Sequence, residues 1–68
     1  MPSSVIRAAY YDPDRQLLDI TFTTGRRYLY RDVPPDAAER FQAAFSKGRH
    51  FNAHIRDHYD FTEVAGET

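Results

Sequence analysis

Cysteine is absent from this sequence, so the chain can form neither a disulfide framework nor a thiolate zinc site. Secreted domains of similar size usually depend on disulfides, and we therefore expect a cytoplasmic location. No apolar run approaches the roughly 20 residues of a membrane-spanning helix, so we expect no membrane partner. The first residues, Met1 to Ser4, also lack the basic stretch and apolar run of a signal peptide.

The chain is short, with 68 residues, and we expect one domain at residues 1–62 followed by a flexible acidic tail at residues 63–68. A domain of this size buries only about 60% of the surface that its unfolded chain exposes. Its core supplies a net stability of about 3–5 kcal/mol, which leaves little for an enclosed catalytic cleft. Five tyrosines and five phenylalanines provide the large apolar surfaces that such a small core needs.

Alternating apolar residues predict three strands, at residues 4–11, 17–23 and 27–31. Turn signals at Asp12-Pro13-Asp14 and Thr24-Gly25 join them into an antiparallel meander. The alternation places these sets each on one face: Ile6, Ala8 and Tyr10; Leu18, Ile20 and Phe22; Tyr28 and Tyr30. We expect the face with Leu18, Ile20 and Phe22 to be the core face. The sequence does not determine which tyrosine face turns inward, because that depends on register.

Two short helices are predicted after the sheet. Pro34 and Pro35 end the third strand and suit the first turn of a helix. The helical stripe that follows consists of Ala37, Ala38, Phe41, Ala44 and Phe45. Ser46-Lys47-Gly48 is expected to end this helix, with Gly48 just beyond its last turn. A second helix is predicted from about residue 49 to 59, anchored by Phe51, Ile55 and Tyr59. The predicted fold class is therefore α+β, with a three-stranded antiparallel meander followed by two short helices packed on one face.

Several short motifs, in order and at matching spacing, give the chain a family resemblance. They are Ser4, Ile6, Tyr11-Asp12, Leu18, Ile20, Phe22, Gly25, Tyr28-Leu29-Tyr30, Val33-Pro34, Ser46, Gly48, Phe51, Asn52, Ile55 and Arg56. In these motifs the chain resembles the KTSC domain, found at the C-terminus of some lysyl-tRNA synthetases and as a small bacterial or phage protein. The resemblance covers residues 3–59 and implies a small α+β fold without known catalytic activity, with RNA binding expected from the synthetase context. Ala38 departs from the pattern, since an aromatic residue is common there, and its small size is expected to thin the core or open a groove.

Basic residues are concentrated between residues 26 and 58, which carry a net positive charge, whereas residues 59–68 carry only acidic charges. We predict that these side chains bind phosphates and that exposed tyrosines stack on bases. Asn52 would add a hydrogen bond to a base edge or to the backbone. The predicted nucleic-acid-binding residues are Arg26, Arg27, Tyr28, Tyr30, Arg31, Lys47, Arg49, Asn52 and Arg56. The alternative is a solvated surface whose charges pair with neighbouring carboxylates, and a packed Tyr28 and Tyr30 whose rings serve the core.

His50, His54 and His58 recur every fourth residue, which would place them along one face of a helix. Imidazoles at this spacing can share a metal ion, but a closed site needs four ligands and no cysteine is available. We therefore expect solvent-facing histidines, and neither a metal nor any other cofactor.

The carboxylates of Asp12, Asp14 and Asp19 lie near one turn, where aspartates usually cap the backbone rather than transfer protons. No glycine-rich phosphate loop or nucleophile elbow is present. We expect a non-catalytic accessory module that binds RNA. The alternative is a protein-interaction module that uses a sheet edge or a helix groove, and the chain itself would be a monomer or a weak homo-oligomer.

Overall fold

A computed structural model describes residues 6–64. Its elements are strands β1 (Ile6–Asp12), β2 (Leu17–Phe22) and β3 (Arg27–Tyr30), helices α1 (Pro35–Ala43) and α2 (Lys47–His50), a π-helical turn (Phe51–Ile55) and strand β4 (Phe61–Val64). The four strands form one antiparallel sheet in the order β1-β2-β3-β4. The α+β class and the meander of the first three strands are confirmed.

The fourth strand corrects the prediction of three strands. Phe61 pairs with Tyr30, and Val64 pairs with Arg27, so β4 extends the sheet beyond β3. The backbone N–H of Arg31 donates to the carbonyl of Asp60 at 2.8 Å, which holds the start of β4 against the end of β3. Residue 63 and residue 64, predicted to belong to a tail, therefore lie in the sheet, and residues 65–68 lie outside the described residues. Ser4 and Val5 of the predicted first strand also lie outside them.

Register sets the core face. Leu18 pairs with Tyr30 and Ile20 pairs with Tyr28, so both tyrosines lie on the face that holds the buried leucine and isoleucine. Leu18 and Ile20 are completely buried, as expected, and Tyr30 is 2% exposed. Phe22 lies on the same face but is only half-buried. Both tyrosines thus belong to the sheet face that the helices cover, and Tyr30 belongs to the core.

A bulge in β1 changes which of its residues face the core. The register shifts between Ile6 and Ala8, and Ala9 and Tyr11 lie opposite Ile20 and Leu18. Ile6 therefore packs on the core together with Ala9 and Tyr11, and the single face predicted for Ile6, Ala8 and Tyr10 is wrong. The extra residue of a bulge reverses the side-chain alternation beyond it.

Helix α1 ends earlier than predicted. Its last residue is Ala43, and Ala44 is already extended. The side chain of Ser46 accepts a hydrogen bond from the backbone N–H of Arg49, which makes Ser46 the N-cap of α2 rather than part of the end of α1. Gly48 consequently lies inside α2. Because α1 ends first, Phe45 does not join the buried stripe and is fully exposed.

The helical residues that do reach the core are Ala38, Phe41, Phe51 and Ile55. Ala38 is 2% exposed and belongs to the core. Tyr59 lies beyond the helical segment, although it still packs on the core. The hydroxyl of Tyr11 donates to the carbonyl of Val33 at 2.6 Å and ties β1 to the loop that precedes α1.

Within residues 6–64, no helix packs on the other face of the sheet. This face presents Tyr10, Asp19, Leu29 and Thr62 in one row across the four strands. Among residues 6–64, no helix is long and apolar enough to cross a membrane.

Candidate binding groove

A groove of about 510 Å³ lies on the helical side of the sheet. We call it the aromatic groove, and its lining residues are Phe22, Tyr28, Tyr30, Phe51, Asn52, Arg56, Asp57 and Phe61. It lies between the π-helical turn and the strand pair β3–β4. A groove of this kind offers apolar ring surface with a few polar groups at its rim, which is typical of a binding site.

Strand alternation builds the sheet side of the groove. Tyr28 and Tyr30 are two residues apart in β3, and their rings lie nearly parallel, with centroids 6.4 Å apart and an interplanar angle of 14°. Phe61 pairs with Tyr30 across β3–β4, and its ring lies 5.1 Å from that of Tyr28 and 5.2 Å from that of Tyr30. Phe61 remains 47% exposed. The groove therefore presents an aromatic ring, that of Phe61, which packs on the tyrosines on one side and is open to solvent on the other.

The helical side of the groove is anchored by Phe51. Its ring meets those of Phe22 and Tyr30 nearly edge-on, at centroid distances of 5.3 Å and 5.4 Å. Phe22 makes a perpendicular contact with Tyr28 at 5.6 Å. Edge-to-face contacts at these distances stabilise the cluster beyond the burial of its area, so the rings hold the shape of the groove without a ligand.

The rim of the groove carries polar and charged groups from the π-helical turn and the residues after it. Asn52 is half-buried, whereas Arg56 and Asp57 are exposed. Burial raises the pKa of the Tyr30 hydroxyl to about 12; Tyr28 and Asp57 act in the same direction, and the positive charge of Arg56 opposes them. The Tyr30 hydroxyl is consequently protonated, and able to donate, at any ordinary pH.

Arg26 stands at the sheet end of the groove. A side-chain hydrogen bond with Tyr28 and the negative charge of Glu63 raise the pKa of the guanidinium. The Arg26 Nη1 atom lies 3.8 Å from the Glu63 carboxylate, and both side chains are about half exposed or more, at 66% and 48%. Such an exposed pair is weak and rearranges readily.

Five of the nine predicted nucleic-acid-binding residues therefore lie at or beside the aromatic groove. Tyr28, Tyr30, Asn52 and Arg56 line it, and Arg26 adjoins Tyr28. The other four lie elsewhere.

Arg27 faces the opposite side of the sheet, where its Nε and Nη2 atoms donate to the Asp19 carboxylate at 3.0 Å and 2.6 Å. Arg31 lines a second, polar cavity, which adjoins the groove at Asp57; its other lining residues are Asp32, His58, Tyr59 and Asp60. Lys47 lines a shallow cavity beside β1, and Arg49 is exposed on α2. The predicted basic surface is thus divided among several sides of the molecule.

Four residues that line the groove were not among the predicted nucleic-acid-binding residues: Phe22, Phe51, Asp57 and Phe61. Phe22 and Phe51 were assigned only to the core, and Phe61 was assigned to no element. The run from Phe61 to Val64 lacks the apolar alternation of a strand, and its only strand signal is its content of aromatic and β-branched residues, Phe61, Thr62 and Val64. Asp57 also lines the groove and was not assigned to any predicted binding site.

The histidines lie on another side of the helical segment. The rings of His50 and His54 are 4.6 Å apart, and His58 Nε2 lies 3.2 Å from the carbonyl oxygen of Ala53. Burial lowers the pKa of His50, and the nearby His54 and Arg40 lower it further. Within the part of the chain that the structure describes, no three His, Cys, Asp or Glu side chains are grouped to hold a metal ion.

The aspartates near the first turn have structural contacts. The Asp12 carboxylate accepts hydrogen bonds from the backbone N–H groups of Asp14 and Arg15 at 3.0 Å and 3.3 Å. Asp19 bonds Arg27, as described above. These contacts account for the two carboxylates as a turn cap and an ion-pair partner.

Comparisons with known proteins all point to the same family. The sequence model of the KTSC domain family matches residues 2–59. An uncharacterised protein of Stutzerimonas stutzeri is 37% identical over 65 residues, covering 94% of this chain and 92% of that protein. A lysine–tRNA ligase of Nostoc punctiforme is 39% identical over 62 residues, but these correspond to only 11% of its length. The crystal structure of a KTSC domain protein from Yersinia pestis has a TM-score of 0.85 and 34% identity, covering 96% of this chain and 94% of that one.

Proposed function

Since the chain belongs to the KTSC domain family, we propose that it is a non-catalytic, cytoplasmic binding module that binds RNA at the aromatic groove. The observation that carries the proposal is the half-exposed ring of Phe61 beside Arg56 and Asn52. Aromatic faces beside a guanidinium suit the stacking of nucleobases and the neutralisation of phosphates. The relationship to part of a lysine–tRNA ligase adds support, because that protein acts on RNA.

The charges around the groove favour modest affinity. Arg56 and Arg26 are opposed by Asp57 and Glu63, so the positive potential is local rather than continuous. Proteins that depend on phosphate contacts alone carry a far stronger basic surface. In the proposed module the rings therefore supply much of the binding energy, and the two arginines orient the strand.

The test is an NMR titration of the ¹⁵N-labelled domain with an RNA hairpin that offers both a paired stem and an unpaired loop. We expect shifts of the backbone signals of Asn52, Arg56 and Phe61, stronger at low salt than at physiological salt. The Phe45→Ala variant is the control and should show the same shifts, because it lacks only a ring that is fully exposed outside the groove. No shifts at low salt would refute the proposal.

A different feature favours a second function, binding of a protein partner. Strand β4 is at the edge of the sheet, and its outer side has no neighbour among the described residues. An extended peptide can pair with such an edge and place a side chain in the groove next to it. The same edge would support the weak self-association considered from the sequence.

Selection from a library of random peptides, followed by NMR titration with the enriched ones, tests the second function. Peptides that add a strand should shift and protect the backbone amides of residues 61–64. Sedimentation of the domain over a range of concentrations tests self-association. Enriched peptides that leave these amides unchanged would contradict pairing at this edge.

A further inference from the structure

We infer that the ligand of the aromatic groove is single-stranded RNA, bound mainly by stacking of unpaired bases rather than by charge. This inference rests on the proposed function and specifies its ligand. It follows from three properties of the structure: the accessible rings, the number of cations at the groove, and the distribution of the other cations over the surface.

The accessible ring surface sets what can stack. Tyr30 and Phe51 are 2% and 3% exposed, so they support the groove but offer almost no free face. Phe61 is 47% exposed, and Phe22 and Tyr28 are half-buried. Only a base that has left a helical stack can place its own face on such a ring. The groove thus has room at its open rings for a very short unpaired segment.

The cations at the groove set the salt dependence. Among residues 6–64, Arg56 lines the groove and Arg26 bonds the groove residue Tyr28, so we expect binding to neutralise about two phosphates. Single strands lose affinity with a slope of about −0.7 per phosphate in a logarithmic plot against salt, so we expect a slope of about −1.4. Affinity should then fall roughly sevenfold between 50 and 200 mM salt. A duplex-binding surface with many phosphate contacts would lose far more.

Arg27 and Lys47 lie away from the groove and do not extend its positive charge into the continuous track that a duplex requires. Arg27 is bonded to Asp19 on the other face of the sheet, and Lys47 lies beside β1. A duplex is recognised through phosphates and hydroxyl groups that follow a groove over many base pairs. A rigid RNA duplex cannot contact both faces of the sheet at once, so Arg27 cannot bind the same duplex together with the cations at the groove.

The experiment compares three probes by fluorescence anisotropy and NMR: an oligouridylate and an oligoadenylate of about eight nucleotides, and a blunt RNA duplex of about 16 base pairs. We expect both oligonucleotides to bind, and the duplex to bind at least about tenfold more weakly than either. Phe61→Ala should weaken binding of the oligonucleotides roughly 5- to 150-fold, the range for loss of one stacked base. Phe45→Ala should leave it unchanged.

A second pair of variants does not depend on the packing of β4. Arg56→Gln should reduce the salt slope by about 0.7, whereas Arg15→Gln, an exposed arginine in the turn after β1, should not change it. This pair remains informative if β4 detaches from β3 in Phe61→Ala, a change that the NMR spectrum of that variant would show.

The outcomes separate the inference from the proposed function. Equal or tighter binding of the duplex overturns the inference while RNA binding stands. Binding of the oligonucleotides that neither Phe61→Ala nor Arg56→Gln alters also overturns it, because the site would then lie elsewhere. Failure of the hairpin, the oligonucleotides and the duplex to bind at low salt removes both.

Discussion

Replacing Arg27 by alanine should destabilise the domain without weakening RNA binding. The Arg27 side chain holds the Asp19 carboxylate with three contacts, two from Nε at 3.0 Å and 3.1 Å and one from Nη2 at 2.6 Å. Asp19 is 16% exposed and Arg27 is 43% exposed, so the pair is neither fully solvated nor fully buried. An exposed ion pair contributes about 0.2–1 kcal/mol, and a well-formed charged hydrogen bond about 1.5–3 kcal/mol. After allowance for solvent screening of the arginine, we expect a loss of about 1 kcal/mol.

Thermal unfolding followed by circular dichroism measures this loss. For a domain of this size, 1 kcal/mol corresponds to a fall in Tm of about 4–8 °C. Arg7→Ala is the control, because Arg7 is exposed in the same sheet and makes no ion pair within residues 6–64. We expect the control to change Tm by less than about 2 °C, as surface substitutions usually do.

Two results would refute the reasoning. If Arg27→Ala has the same Tm as Arg7→Ala, the ion pair contributes nothing and the contacts with Asp19 do not stabilise the sheet. If Arg27→Ala keeps its fold but binds the RNA hairpin much more weakly than the unchanged domain, the sheet face opposite the helices takes part in binding. The aromatic groove alone would then not be the site.

Three further predictions concern stability and pH. Tyr11→Phe removes the hydroxyl that donates to the Val33 carbonyl at 2.6 Å, and it should lower the free energy of unfolding in urea by about 1 kcal/mol. Tyr10→Phe, at a residue that is 70% exposed, should lower it little. Equal losses in the two variants would contradict a role for the Tyr11 hydrogen bond. The pKa of Tyr30 is raised to about 12 in the folded protein, against about 10 in the unfolded chain. Its contribution to the free energy of unfolding is therefore complete below pH 10 and is lost towards pH 12, by about 3 kcal/mol. Tyr30→Phe should flatten this alkaline decline in unfolding free energy, and an unchanged decline would assign it to other groups. His50 has a lowered pKa, so stability should fall as pH drops below about 6.5, the unfolded value, until the folded pKa is passed. The fall should be smaller in His50→Gln when urea unfolding is compared at several pH values, and an equal fall would exclude His50 as its source.

The sequence predicted the parts of the fold that depend on local pattern. The alternation of Leu18 and Ile20 indicated a strand with one buried face, and both side chains are completely buried. The helical spacing of Phe51 and Ile55 likewise indicated their burial. Local patterns succeed here because each element must bury its own apolar stripe, whichever neighbours it has.

Helix ends were less predictable. Ser46 was expected to help end one helix, but its hydroxyl caps the next one. Serine is common both near the end of one helix and at the start of the next. Which of the two positions Ser46 occupies therefore depends on which neighbouring side chains are buried in the core. Phe45 is exposed because of that choice, even though its spacing matches the stripe of Phe41.

The candidate site depended more on tertiary structure than the fold did. The sequence by itself determined that Tyr28 and Tyr30 share a sheet face and that Asn52 and Arg56 lie one helical turn apart, because these follow from strand and helix periods. Only the tertiary structure decided that β4 adds Phe61 beside the tyrosines and that Arg27 bonds Asp19 on the far side of the sheet. Pairing register, a bulge and the position of an edge strand are contacts between distant residues, and the local period of a sequence carries no information about them.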